Sequence, residues 1–168
     1  MRKQKGFTLV EMLVVIAIIA ILAGAVLLAI NPAATMRKSR DTTRMNDLDS
    51  LRNAINIALT ENEIMFADTG TSGDSSGGTS VQAADGINGY IKFTIPDGKT
   101  GGLARYIPAL PLDPTNTGDL IYRFEANANQ EFELNARLEF PGNAAKMEND
   151  GGDNADRYEV GTNLRIIN

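Results

Sequence analysis

The chain has 168 residues and a formal net charge of −5, and its mean hydropathy of −0.16 averages a very apolar N-terminus with a polar remainder. It contains no cysteine, which excludes disulfides and thiolate chemistry, and no histidine, which removes the commonest general base and transition-metal ligand. The acidic balance gives no reason to expect nucleic acid as the main partner. We therefore predict a protein that is not an enzyme.

The N-terminus predicts a membrane helix. Residues 1–6 are short and basic, and residues 12–30 carry no charge. As a helix, residues 7–30 would extend roughly 36 Å, enough to cross a hydrocarbon core of roughly 30 Å. No small-residue cleavage site follows this run, and a basic leader stays in the cytoplasm. The prediction is a single-pass protein of the cytoplasmic membrane with its C-terminal part outside.

Glu11 is the one charge inside this apolar segment. A carboxylate at mid-membrane costs about 2.5–3.5 kcal/mol, and less near an end, so it indicates a function and requires a partner. If the chain is cut after Gly6, the new α-amino group of Phe7 on a neighbouring subunit is a candidate. That ion pair would form only on assembly, so desolvation of Glu11 would favour addition of each subunit to a filament.

The residues from Gly6 to Ile16, GFTLVEMLVVI, resemble the prepilin processing motif of type IV pilins and type II secretion pseudopilins. The resemblance implies that a prepilin peptidase cuts between Gly6 and Phe7, that the Phe7 amine becomes N-methylated, and that Glu11 serves assembly. It implies as partners further copies of the chain, other pilins or pseudopilins, the peptidase, an inner-membrane assembly platform and the lipid bilayer. The product would be an extracellular or periplasmic filament. Loss of residues 1–6 removes three positive charges and changes the formal charge from −5 to −8.

Two residues are candidates for a bend in the long helix. Gly24 is the only glycine in the apolar run, and Pro32 removes a helix hydrogen bond. They mark either a stretch that loosens in the filament or a simple helix break at Pro32. Residues 31–63 predict a second, amphipathic helix, since apolar residues recur there every three or four positions from Met45 to Leu59.

A basic group follows the apolar run and allows three interpretations. It is a solvated helix face, or it pairs with the acidic heads of adjacent subunits, or it contacts lipid phosphate or DNA. Its members are Arg37, Lys38, Arg40 and Arg44.

Residues 64–168 predict a globular head. The Gly- and Ser-rich residues 69–89 predict an exposed loop. Strands are expected at residues 90–95, 120–125, 131–140 and 157–167, and the alternation in the third predicts a strand with one solvent-exposed face. The fold class is therefore α+β, type IV pilin-like, with a long N-terminal helix packed on a small antiparallel sheet. The Leu110–Pro114 segment, LPLDP, weakly resembles major pseudopilins.

Calcium is the one cofactor that the sequence suggests. The resemblance to major pseudopilins implies an acidic calcium-binding loop between late strands, and residues 148–156 are acidic with a Gly-Gly turn. Asp150, Asp153 and Asp156 are the candidate ligands. A solvated acidic turn explains the same residues.

The leading functional prediction is a structural subunit of a type IV pilus or of a type II secretion pseudopilus. The alternative is a membrane-tethered module that binds a ligand, for example in DNA uptake or adhesion, and never polymerises. An envelope enzyme is disfavoured, because no pair of carboxylates stands in a recognisable catalytic spacing.

Overall fold

The computed structural model describes residues 6–67 and 71–167. The chain divides into two compact units, one up to Arg37 and one from Lys38 onward. The first unit holds the apolar helix and the second holds the head.

Two helices begin the chain, α1 at Leu9–Ile30 and α2 at Pro32–Thr60. They are separated by Asn31, whose φ of 45° lies in the left-handed region that asparagine tolerates better than most residues. The Asn31 side chain then accepts a hydrogen bond from the Ala34 amide at 3.3 Å. Pro32 occupies the first position of α2, where a missing N–H costs nothing. The break therefore follows from the Asn31-Pro32 pair.

The head contains one antiparallel sheet in the order β1–β2–β3–β4. The strands are β1 (Gly73–Asp74), β2 (Arg123–Ala126), β3 (Phe132–Ala136) and β4 (Tyr158–Gly161), and a short helix α3 (Ala144–Glu148) precedes β4. The predicted α+β class is confirmed: a long apolar helix, a second helix and a small antiparallel sheet.

The core lies between α2 and one face of the sheet. Leu48, Leu51 and Ile55 of α2 are fully buried, as the predicted amphipathic pattern requires. From the sheet side they are met by alternating apolar side chains, among them Phe124, Phe132, Leu134, Ala136 and Val160.

The second face of β3 is buried, contrary to the sequence prediction. All five residues of β3 are buried, including the polar Glu133 and Asn135. The C-terminal segment covers this face, and the amides of Ile166 and Ile167 donate to Glu133 Oε2 at 2.9 and 3.1 Å. The alternation of apolar and polar residues correctly identified the strand β3. It could not show that Glu133, on the polar side of β3, binds the C-terminal segment.

Two further expectations about the head need correction. Part of the predicted exposed loop is ordered and buried: Gly73 lies in β1, and the Ser75 hydroxyl accepts from the Tyr122 amide at 3.0 Å. Conversely, residues 90–95 form only an isolated bridge, between Met65 and Thr94. Part of their backbone hydrogen-bonds to the preceding loop, as when Tyr90 N–H donates to Val81 O at 3.0 Å, and so does not pair in the sheet. Their apolar side chains nevertheless pack in the core.

Candidate functional site

The predicted processing site lies outside regular structure. Gly6, Phe7 and Thr8 precede α1, and Phe7 is 80% exposed. A Cβ built on Gly6 meets no atom within 4 Å, so the described fold gives no steric reason for glycine at this position. An exposed, non-helical bond beside an unhindered glycine is what a protease needs in order to bind extended backbone.

Glu11 caps its own helix. Its carboxylate Oε2 accepts from the Thr8 amide and the Thr8 hydroxyl, both at 2.8 Å, and the Glu11 amide donates to Thr8 Oγ1 at 3.2 Å. This is a reciprocal capping box, which satisfies otherwise unpaired helix N–H groups. This capping box is not among the predictions made from the sequence, although Thr followed three positions later by Glu is the usual signature of the motif. Glu11 therefore has a local role besides the predicted assembly role.

The helix α1 exposes apolar side chains on every side. Residues 9–26, with a mean hydropathy of 2.9, form the one helix in the described part of the chain that is long and apolar enough to cross a membrane. None of this segment is buried within the chain. Such a surface requires lipid or other apolar helices around it, so α1 supports membrane anchoring.

The two predicted bend residues have different surroundings. Gly24 lies inside the uninterrupted α1, and a Cβ built on it meets nothing within 4 Å. Pro32 begins α2, directly after the left-handed Asn31. The helix break of this structure is thus at Asn31–Pro32, and loosening at Gly24 in a filament stays a prediction.

The three predicted calcium ligands do not converge. Both carboxylate oxygens of Asp150 accept backbone N–H groups, from Gly152 at 2.9 Å and Glu159 at 2.8 Å. Asp153 and Asp156 are exposed. Among the residues that the structure describes, no three acidic, Cys or His side chains form a group suited to a metal ion. In this geometry Asp150 shapes the loop, and calcium binding stays a prediction.

A buried carboxylate pair lies next to this loop and was not anticipated from the sequence. Glu133 and Glu159 are 0% and 2% exposed and sit on the same face of β3 and β4. Glu159 Oε2 accepts from the Asn154 amide at 3.1 Å, whereas its buried Oε1 has no hydrogen-bond partner among residues 6–67 and 71–167. Burial raises the pKa of Glu159 to about 7, and the adjacent Glu133 and Asp150 add to the effect.

We expect the head to lose stability as the pH rises from about 4.5 to about 7. The folded protein binds a proton at Glu159 more tightly than the unfolded chain, whose carboxyl titrates near 4.5, so deprotonation favours unfolding across this interval. The charged groups facing Glu159 are Glu133, Asp150 and Arg157. Thermal unfolding of the full chain in detergent should occur at a lower temperature at about pH 8 than at about pH 5.5.

The variant Glu159→Gln should remove most of that difference, because an amide does not titrate. The exposed Glu148→Gln is the matched control and should keep it. Equal pH dependence in all three proteins would contradict the assignment to Glu159.

The strongest polar feature of the head is the fully buried Arg44. Its guanidinium contacts Asp113 through two bonds of 2.6 and 2.8 Å, Asp41 at 2.9 Å and Glu139 at 2.7 Å. Arg40 adds a two-bond contact to Glu139, at 2.6 and 2.9 Å. Burial alone would lower the pKa of Arg44, but the hydrogen bonds to Asp113 and Glu139 raise it above its ordinary value.

This ion-pair network joins three separate parts of the head. Asp41 also accepts from the amides of Glu139 and Phe140, at 2.8 and 2.9 Å. Asp113, the acidic residue of the LPLDP segment, accepts from the Thr115 amide at 2.8 Å. The network thus fixes α2 to the segments that precede β2 and follow β3.

For Arg40 and Arg44, the network corrects the interpretation of the basic group as a solvated face or an intermolecular contact. Arg44 is buried, Arg40 is half-buried, and both pair with carboxylates of their own head. Arg37 and Lys38 remain exposed.

Comparison with known proteins yields one finding, at the N-terminus. Residues 1–27 match the family model described as the prokaryotic N-terminal methylation motif. No curated protein and no solved structure matches the chain. The matched residues include the exposed Gly6–Phe7 bond, the Thr8–Glu11 capping box and most of α1.

Proposed function

We propose that the chain is a structural subunit that polymerises into a filament. The premise is the prokaryotic N-terminal methylation motif in residues 1–27, which indicates a type IV pilin-like, prepilin-processed protein. The filament is a type IV pilus or a type II secretion pseudopilus. Proteins with this motif serve structural rather than enzymatic roles. The observation that carries the proposal is one carboxylate, Glu11, at the start of a motif-bearing apolar helix that its own chain leaves uncovered.

Assembly follows from the chemistry of the first five residues after the cut. Cleavage between Gly6 and Phe7 exposes a positively charged α-amino group, which N-methylation leaves charged. In the core of a filament, each α1 helix is surrounded by other α1 helices instead of lipid. There the Phe7 α-amino group of one subunit forms an ion pair with Glu11 of the next. A charge-assisted hydrogen bond in such a dry environment is stronger than a neutral one and depends on both partners being present.

The capping box refines this mechanism. Because Thr8 already uses Glu11 Oε2 for two hydrogen bonds, the carboxylate is held at the helix start beside Phe7. A carboxylate accepts several hydrogen bonds, so it can cap its own helix and receive a neighbour's amine together. Thr8 would therefore orient Glu11 for the incoming subunit.

The membrane-tethered ligand-binding module is the competing proposal. It needs the anchor α1, in which Glu11 would serve only as the helix cap, but it has no use for a free Phe7 amine. Subunits that stay in the membrane fraction as monomers, under conditions in which related filaments form, would favour it.

Substitution of Gly6 tests the processing step. We expect Gly6→Val to leave the leader attached, because a side chain at that position obstructs a peptidase that accepts glycine, while the fold itself has room for it. Intact mass of the membrane-extracted chain should then show residues 1–6 retained.

Gly24→Val is the matched control for this experiment. It makes the same change in α1, where the added side chain also meets nothing within 4 Å. It should be cleaved and methylated like the unmodified chain. Normal cleavage of Gly6→Val would contradict processing at this bond.

A further inference from the structure

Three arginines surround a single carboxylate on the second face of the sheet. Arg123 lies in β2, Arg137 directly follows β3 and Arg157 directly precedes β4, and the strand register places them on one face. Arg137 Nη1 lies 3.0 Å from Asp119 Oδ2, and the Nη2 atoms of Arg123 and Arg157 each lie 3.9 Å from Asp119 Oδ1. We call Arg123, Arg137 and Arg157 the arginine site.

One carboxylate lies close to the arginine site. In the described part of the chain, Asp119 is the one carboxylate within 4 Å of these three guanidinium groups. The Arg157 side chain is only 8% exposed, and its hydrogen bond is to the neutral Asn135, at 3.3 Å. Burial lowers the pKa of Arg157 and the positive charge of Arg123 lowers it further, whereas the charges of Asp119 and Glu159 act to raise it.

Arg44 is a second buried arginine of the head, and its charge is balanced by close carboxylates. Three carboxylates contact its guanidinium at distances of 2.6–2.9 Å. Arg157 is almost as deeply buried, yet its nearest carboxylate is 3.9 Å away and is shared with two other arginines. A mostly buried cation beside like charges is unfavourable unless an anion compensates it. For Arg157, the buried Glu159 is a second compensating charge. Arg123 and Arg137 share Asp119 as their one carboxylate within 4 Å among the described residues, so capacity for a second anion lies at these two arginines.

We infer that the arginine site binds a carboxylate supplied by a second copy of the chain in the filament. This inference rests on the proposed function. Asp119 already shows that a carboxylate fits among these guanidinium groups, whose flat, forked donors match its two oxygens. A second copy is the best source, because the mature chain has a formal charge of −8 and so offers many carboxylates.

The contact would orient heads rather than hold the filament together by itself. Arg123 and Arg137 are 37% and 50% exposed, so they are accessible to another molecule and their ion pairs are screened by salt. Tethering by the α1 core raises the local concentration of neighbouring heads, which lets a weak contact form. Heads joined in this way would separate more easily at high ionic strength.

Reversal of the two exposed charges tests the inference. We expect Arg123→Glu with Arg137→Glu to lower the yield of sheared filaments by roughly tenfold relative to the membrane pool of subunit, since repulsion replaces attraction at every contact. The control pair Arg165→Glu with Lys146→Glu makes the same change in net charge at exposed positions outside the site and should assemble normally.

The outcomes separate the two proposals. If the unmodified chain forms no filaments, the proposed function fails. If it forms filaments and the arginine-site pair matches the control pair in yield and in salt resistance, this inference alone is overturned.

A charge-preserving variant identifies the partner. Arg137→Lys keeps the positive charge and supplies an amine, which a zero-length carbodiimide reagent couples to a carboxylate in direct contact. Filaments of this variant should yield a cross-link from position 137 to an acidic residue of another copy, recognised by mass spectrometry of mixed isotope-labelled subunits. Cross-links from this position to Asp119 of the same copy alone would contradict the inference.

Discussion

The variant Glu11→Gln should be cleaved, methylated and inserted normally, yet form few or no filaments. Glutamine can replace glutamate in a capping box, so the contact with Thr8 is kept while the charge is lost. A hydrogen bond to a charged group contributes about 1.5–3 kcal/mol. Its loss at each subunit addition corresponds to at least roughly a tenfold weaker step. Filament yield in the sheared fraction measures the effect, and intact mass confirms processing.

Thr8→Val separates the two roles of Glu11. This variant removes the hydroxyl from the capping box but leaves the carboxylate charged. Loss of an N-cap side chain costs about 1 kcal/mol of helix stability, which the surrounding membrane helix tolerates. We expect filament yield to fall much less than in Glu11→Gln. Normal filament yield of Glu11→Gln together with a large loss in Thr8→Val would show that the side chain at position 11 acts through the cap and not through a neighbour's amine.

The variant Arg44→Met should destabilise the head by about 3–5 kcal/mol. Methionine fills much of the volume but leaves the buried carboxylates of Asp41 and Asp113 without their cation. Urea unfolding of the full chain in detergent measures the free energy of unfolding. Tyrosine fluorescence is a suitable probe, because Tyr90 and Tyr122 are buried in the head and α1 contains no tyrosine.

Arg52→Met is the matched control on the same helix. Arg52 pairs with Asp49 at 3.0 Å, but both side chains are about two-fifths exposed, so the loss should stay below about 1 kcal/mol. Combining Arg44→Met with Asp113→Leu should cost less than the sum of the single changes, since each removes the other's partner. Similar stabilities of Arg44→Met and Arg52→Met would contradict the account of the network.

The N-terminal unit could be predicted almost completely from the sequence. Its apolar run, its end at Asn31–Pro32 and the motif around Glu11 depend on local sequence, and local sequence determines helix formation and termination. The capping box was equally readable. Thr8 and Glu11 stand three positions apart, which is the spacing of a capping box, and this role does not exclude the proposed role of Glu11 in assembly.

The sequence contains a weaker signal for the Arg44 network. Arg44 lies four positions before Leu48 and seven before Leu51, so it falls on the buried stripe of α2. An arginine in register with a core stripe predicts a buried ion pair. Its main partner, Asp113, is 69 residues away, and no local pattern identifies a contact of that separation.

Most differences between the predicted and the observed structure of the head arise from tertiary contacts. Glu133 and Asn135 occupy the polar positions of an alternating strand, and contacts from distant residues meet them there, Ile166 at Glu133 and Arg157 at Asn135. Residues 90–95 have strand-like composition, but their backbone partners come from an adjacent loop. Sequence periodicity indicates which side of a strand is apolar, whereas the covering of the other side depends on the whole chain.

The most direct test of the central claim is the intact mass of the chain recovered from sheared surface or periplasmic filaments. The account predicts that this chain lacks residues 1–6 and carries one added methyl group on Phe7. Recovery of the chain only from membranes, with its leader intact in cells that process related proteins, would contradict the account.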